Sequence, residues 1–331
     1  MTSRRQIVLL LGGAALGVPR LALAQAQKVY RIGYLANQAD PRGSSTSFKA
    51  FLEGLREQGW VEGKNIEIAI LTSGGRDEAF PDLAAQFVRE KVDVIVTTGV
   101  ASTRAAKDAT KDIPIVFGSS ANPVEFKLVS SLSRPGGNVT GMAFFSLELG
   151  PKRLQLLKQI VPRARRIARL YSASNPYMAP KYAREPDAAA RALNMRLQHI
   201  AVKTTADFES AVRSAADARA DAMTVEADAL FVARASRERL AELAIQHRLP
   251  MMGPDRRYAD SGALLAYGEN FEAMYRRAAY FVSRVLRGAK PADIPVEQPS
   301  VLELVVNLKT AGALGVSVPT DLQLTANRVI S

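Results

Sequence analysis

The chain has 331 residues, 47% of them apolar and 23% charged, the balance of a globular protein rather than a fibrous or disordered one. Lysine and arginine outnumber the acids 44 to 32, but the surplus is spread along the chain; its densest stretch (Arg163, Arg165, Arg166 and Arg169) lacks interleaved aromatics, so no nucleic-acid surface is expected. There is no cysteine, which excludes disulfides, thiolate nucleophiles, a lipid-modified N-terminal cysteine and the common zinc sites.

Residues 1–24 read as a secretory signal peptide. Arg4 and Arg5 give a positive start, Ile7 to Leu16 is a short apolar run, and Ala22-Leu23-Ala24 is the small-x-small pattern of a cleavage site. The run is too short for a membrane span. Ser3-Arg4-Arg5-Gln6-Ile7 resembles a twin-arginine signal, so export by that route or by the general secretory route is expected. Cleavage leaves a charge of about +9, from 41 basic against 32 acidic residues. An exported chain with no lipid anchor is expected to be retained between two membranes, in the periplasm.

The remaining 307 residues (331 less 24) exceed one compact core and predict two lobes. Tyr30 to Leu35 reads as a strand. Phe48, Phe51, Leu52 and Leu55 recur with the spacing of one helix face, and Gly59 ends that helix. Ile66 to Leu71 alternates as a strand; Leu83, Phe87 and Val88 mark the next helix; Val92 to Val96 and Ile113 to Phe117 are strands. This βαβαβαβ rhythm predicts a parallel sheet with helices on both faces. The rhythm restarts near residue 145. Helices are expected around Leu154 to Ile160, 184–194, Phe208 to Ala218 and Leu240 to Ala244. Strands are expected at Ile167 to Tyr171, Leu197 to Val202, Ala222 to Val225, Met251 and Ala263 to Tyr267. A long helix with Met274, Phe281, Val282 and Val285 on one face follows. Pro291, Pro295 and Pro299 then lead to a β-rich run at Val301 to Val306, expected as a hinge strand. The fold class is therefore α/β, two doubly wound parallel-sheet lobes joined by several crossings. The expected division is 25–142 with 269–300 for the first lobe, 143–268 for the second, and 301–331 for the hinge and C-terminal segment.

Catalytic signals are scarce. His199 falls inside a strand and His247 at a helix end, both structural positions, and no histidine pair has metal-ligand spacing. There is no G-x-S-x-G elbow and no G-x-G-x-x-G after the first strand, which runs on into Ala36-Asn37. No cofactor or metal is expected. Polar residues instead gather at strand carboxyl ends, where open α/β sheets bind ligands. Asn37 follows the first strand, and Thr97 and Thr98 follow the third. Ser119, Ser120 and Asn122 follow the fourth. In the second half Tyr171, Glu226, Asp228, Asp255 and Tyr267 end strands or follow them closely. Hydroxyls beside helix starts suit a carboxylate, which is expected on Thr98 with Ser119 or Ser120. Glu226 or Asp228 suits an ammonium, and Tyr171 or Tyr267 a ring. Each residue by itself also fits a cap or a surface loop.

Several stretches together resemble a known family: Leu55-Arg56-Glu57-Gln58-Gly59-Trp60-Val61-Glu62-Gly63, Arg134-Pro135-Gly136-Gly137-Asn138-Val139-Thr140-Gly141, Lys152-Arg153-Leu154-Gln155-Leu156-Leu157-Lys158, and Val306-Asn307-Leu308-Lys309-Thr310-Ala311. They are similar to the bacterial ABC transporter substrate-binding proteins of the tryptophan/tyrosine-binding type, and Asn122-Pro123-Val124 departs from the Asp-Pro-Val expected there. The resemblance implies the type I periplasmic-binding fold and a monomeric receptor that catalyses nothing. It implies a small-molecule solute, such as an amino acid or related carboxylate, passed to an ABC permease in the inner membrane. A sensor kinase in place of the permease is the alternative. A secreted α/β hydrolase needs a histidine at a strand end, and a sugar-type repressor needs an N-terminal helix-turn-helix where the signal peptide lies.

Overall fold

The computed structural model describes residues 28–37, 40–145, 148–184 and 188–331; the expected signal peptide lies outside the described residues. The first lobe runs β1 (Tyr30–Ala36), α1 (Pro41–Ser44), α2 (Thr46–Glu57), β2 (Ile66–Thr72), α3 (Phe80–Arg89), β3 (Val94–Thr98), α4 (Val100–Ala109), β4 (Ile115–Ala121) and β5 (Val139–Phe144). The second continues with α5 (Gly150–Ile160), β6 (Arg166–Ser172), α6 (Ala179–Arg184), α7 (Ala188–Ala192), β7 (Arg196–Val202), α8 (Phe208–Asp217), β8 (Ala222–Val225), α9 (Arg234–Gln246), β9 (Met251–Gly253), α10 (Arg256–Asp260) and β10 (Leu265–Glu269). Then come α11 (Phe271–Leu286), β11 (Leu302–Asn307), α12 (Leu308–Leu314), α13 (Thr320–Thr325) and β12 (Arg328–Ile330).

The first sheet has the order β2-β1-β3-β4-β5, parallel throughout. All seven residues of β4 are buried, as expected of a strand covered on both faces. Helix α2 buries Phe48, Phe51 and Leu55 against this sheet and against α11, whose chain position is distant but which packs here. Gly54 makes that approach possible: a Cβ there would stand 2.6 Å from the Arg276 carbonyl oxygen. The second sheet has the order β12-β11-β10-β9-β8-β6-β7, parallel except where β11 runs against β10.

Two expectations need correction. Strand β5 was not anticipated; it pairs parallel with β4, with a register shift between Phe117 and Ser120, and closes one edge of the first sheet. The segment 301–331 is not a separate hinge unit. Strand β11 lies between β10 and β12, with Leu304, Val305 and Val306 buried, so this segment completes the second sheet. Residues 185–187 of the helix expected over 184–194 lie outside the described residues, and α7 occupies its later part.

Among the described residues the chain passes between the lobes at three places: after β5, between β10 and α11, and between Glu297 and β11. The crossings are tied together. The Phe145 amide donates to Glu269 Oε1 at 2.7 Å, the Ala143 amide donates to the Glu297 carbonyl at 2.8 Å, and Asn270 Nδ2 donates to Glu303 Oε1 at 2.8 Å. Three short bonded crossings permit rotation of one lobe against the other while opposing sliding.

Candidate ligand-binding site

Because the first sheet is parallel and the second is parallel apart from β11, the carboxyl-terminal edges of their parallel strands each gather loops at one end. Those two ends face each other across a cleft lined from both lobes. The cleft encloses about 150 Å³, and an apolar cavity of that volume takes a benzene ring, so the space suits one ring-sized solute.

The first lobe contributes rings and small polar groups. Tyr34 from β1, Phe80 at the start of α3, and Phe271 and Tyr275 from α11 line the cleft. Tyr275 is fixed by a 3.1 Å hydrogen bond between its hydroxyl and Ser119 Oγ. Gly118 leaves room for the ring, since a Cβ there would lie 2.4 Å from Tyr275 Cε1. Helix α4 begins at Gly99, which has φ 94° and offers no side-chain cap, so the first amides of the helix, at Val100 and Ala101, are left to the cleft. Asp77, just beyond β2, is held by Asn37 Nδ2 at 2.7 Å.

The second lobe contributes charge. Asp228 accepts from Asn175 Nδ2 at 2.6 Å and from the Leu230 amide at 3.1 Å. Asp255 caps α10 and binds Arg257 through two contacts, Nε to Oδ1 at 2.7 Å and Nη2 to Oδ2 at 2.8 Å. Arg257 lies 4.8 Å over the Phe271 ring and donates weakly to Ser47 Oγ of the first lobe at 3.4 Å. Arg237 reaches the same cleft from α9.

Burial and then the charge of Asp228 push the Asp77 carboxyl up to about 6, against the bond from Asn37. Burial also raises Asp228. Asp255 behaves oppositely: burial would raise it, but the charge and hydrogen bonds of Arg257 outweigh that and hold it below the usual carboxylate range. The cleft thus carries one closed ion pair, Asp255–Arg257, and two carboxylates on opposite lobes that destabilise each other's charge. Among the described residues no three His, Cys, Asp or Glu side chains gather as a metal site, and no helix is long and apolar enough to cross a membrane.

A family model described as ABC transporter substrate binding protein matches residues 42–330. The chain belongs to that family. This substrate-binding protein has the two-lobed fold of type I periplasmic binding proteins. It is 30% identical over 267 residues to a tyrosine-binding protein of Clostridioides difficile, covering 80% of this chain and 75% of that one. It is 25% identical to a Streptococcus pneumoniae ABC domain solved in complex with L-tryptophan, with TM-score 0.82 over 92% of this chain and 100% of that one. It is also 25% identical to the ligand-free, open structure of a substrate-binding protein with adhesive properties from Clostridium difficile, with TM-score 0.63 over 92% of this chain and 99% of the other.

Of the residues singled out in the sequence, Asn37, Thr98, Ser119, Asp228 and Asp255 line the cleft of the substrate-binding protein. The others lie elsewhere. Thr97 is fully buried and its hydroxyl meets Thr103 Oγ1 at 2.7 Å. Ser120 alternates with Ser119 along β4 and is buried away from the cleft. Asn122 has φ 39° and turns to Glu125 at the rim. Tyr171 packs 6.2 Å from Tyr182. Glu226 is consumed by a buried pair with Arg169, Nε to Oε1 at 2.6 Å. Tyr267 is not at a strand end, because β10 runs on to Glu269, and it packs in the second lobe's core. His199 lies in β7 and His247 caps α9. Sequence reasoning passed over Asp77, Arg237, Arg257 and Tyr275. Asp77 follows a strand end and was legible on the same rule; the two arginines sit in arginine-rich helices and had no distinguishing signal.

Proposed function

We propose that the protein is the solute receptor of an ABC importer and that its two lobes close on a single aromatic amino acid. The observation that carries this is the pair Asp77 and Asp228, which approach one cavity from opposite lobes with neither ion-paired among the described residues. A ligand ammonium between them relieves their mutual repulsion and ties the lobes together. The ring-lined first lobe suits an aromatic body, in keeping with the tyrosine-binding relative and the tryptophan complex. The chain matches that complex better than the open structure at equal identity, a difference that rotation of two rigid lobes would produce. Residence in the periplasm after removal of residues 1–24, delivery to an inner-membrane permease and a monomeric state belong to the same proposal.

Titration calorimetry with tyrosine, tryptophan, phenylalanine and branched-chain amino acids tests it. At least one aromatic amino acid should bind with micromolar or tighter affinity, and its des-amino analogue should bind far more weakly. Equal binding of both compounds, or of none in the panel, defeats the amino-acid reading.

A further inference from the structure

Arg237 is a buried cation whose own surroundings do not neutralise it. The residue is 7% exposed and its guanidinium lines the cleft. Its Nε donates to Ser261 Oγ at 3.3 Å and one terminal nitrogen, Nη1, donates to the Val232 carbonyl. The other, Nη2, has no partner among the described residues, and no carboxylate there forms an ion pair with it.

The nearby acids are spent elsewhere. Asp255 commits both oxygens to Arg257. Glu272 takes Thr46 and Arg256. Asp228 is held by Asn175 and the Leu230 amide, and Asp77 by Asn37. The other arginines with little exposure differ. Arg169 has Glu226, Arg257 has Asp255, and Arg153 donates to the Tyr267 and Pro254 carbonyls without reaching the cleft. A buried charge without a counter-ion is costly, and the cost is removed when the counter-ion arrives.

We propose that Arg237 is the anchor for the solute's carboxylate. The inference rests on the amino-acid reading above and deepens it. The free edge of the guanidinium offers Nη2, with Nη1 already on a carbonyl, as a charge-assisted donor to a carboxylate oxygen. With Asp228 in the same lobe, the second lobe then reads the whole zwitterionic head group. The first lobe closes over it with Asp77 and its rings. The solute class is α-amino acids with a free carboxylate; amides, esters and decarboxylated amines are rejected. This moves the carboxylate from Thr98 and Ser119, where the strand-end rule put it; Ser119 is already bonded to Tyr275.

The test compares L-tryptophan with L-tryptophanamide, and L-tyrosine with L-tyrosinamide, by calorimetry on the parent, Arg237→Gln, Arg237→Lys and Thr98→Ala. The parent should prefer acid to amide by roughly ten- to a hundredfold, the worth of a hydrogen bond to a charged group. Arg237→Gln should lose that preference, Arg237→Lys should show a reduced one, and Thr98→Ala should keep it. A purely structural arginine weakens acid and amide together and leaves their ratio unchanged, and that result overturns the assignment while the amino-acid reading stands. Loss of the preference in Thr98→Ala with retention in the arginine variants overturns it in favour of the first lobe. If neither acid binds the parent, both readings fall. Should Arg237→Gln not fold, an unreduced ratio in Arg237→Lys is the contrary result.

Discussion

The first lobe lines the cleft with rings and hydroxyls, among them Tyr34, Phe80, Thr98 and Ser119, whereas the second lines it with Asp228, Arg237, Asp255 and Arg257. The difference follows from what each loop set must hold. Ring-lined surface supplies dispersion and tolerates small changes of shape, so the first wall accepts a body. Buried charges demand partners of the right sign in the right place, so the second wall reads a head group. Asp77 is the exception that joins the walls: it is the first lobe's carboxylate, and it faces the second lobe's Asp228 closely enough for each to oppose the other's ionisation.

The largest expected break in that division is Asp228→Asn. Truncating one partner of a buried charged contact costs at least about 2 kcal/mol, so tryptophan or tyrosine should bind about thirtyfold more weakly or worse. The des-amino analogue should lose nothing. Undiminished amino-acid binding by calorimetry would place the ammonium elsewhere.

The next effect is on pH. Asp77 titrates near 6, raised first by burial and then by Asp228. An ammonium beside it favours its ionised form, so below about pH 6 binding must expel a proton. Affinity should therefore fall as pH falls through that value, by at most about tenfold per pH unit for one proton. Stability of the unliganded protein should move oppositely. A carboxyl raised in the folded state favours folding where it is protonated, so the melting temperature should gain as pH drops from about 6 toward the ordinary carboxylate range. Asp77→Asn should flatten the affinity profile; a parent profile already flat between pH 5 and 7 argues against Asp77 at the ammonium.

The smallest effect lies at the rim. Lys181 on α6 pairs with Glu125 and lies 5.3 Å over Phe126, while Phe126 meets Tyr177 edge-on at 5.9 Å. Met178 and Tyr182 of the second lobe pack here against Val100, Ala121 and Leu128 of the first. The Glu125 side chain is 50% exposed, so the ion pair adds about 0–1 kcal/mol and is screened by salt. Lys181→Ala should speed solute release a fewfold at most in stopped-flow traces, and less in high salt. A larger change would mean that the rim, rather than the charged wall, holds the lobes together.

Much of the fold was legible because apolar runs with period two and faces with period 3.6 were well separated. The face Phe48, Phe51 and Leu55 and the run Val94 to Val96 required nothing from the rest of the chain. Strand β5 was hidden because Val139–Phe144 follows Gly136-Gly137 and contains Gly141, a composition that reads as loop. Its burial comes from pairing with β4, a long-range fact. The C-terminal strands were misassigned for the same reason: whether a β-rich run crosses or joins a sheet depends on its partner. At the site, the strand-end rule found the right edge but not the right side chain. Glu226 and Asp228 are two residues apart, yet the first is turned to Arg169 and the second to the cleft. Arg237 and Arg257 come from helices whose arginines look alike in sequence; only exposure separates them, Arg237 being buried and the Arg257 side chain 11% exposed against 34% for Arg256.

Small-angle scattering of the mature protein with and without saturating L-tryptophan or L-tyrosine tests most directly whether the two walls meet around one solute. The radius of gyration should be larger in the free protein and fall on binding, and it should stay large for Asp228→Asn at the same ligand concentration. An unchanged radius at a concentration where calorimetry shows full occupancy would contradict closure of the lobes on the ligand.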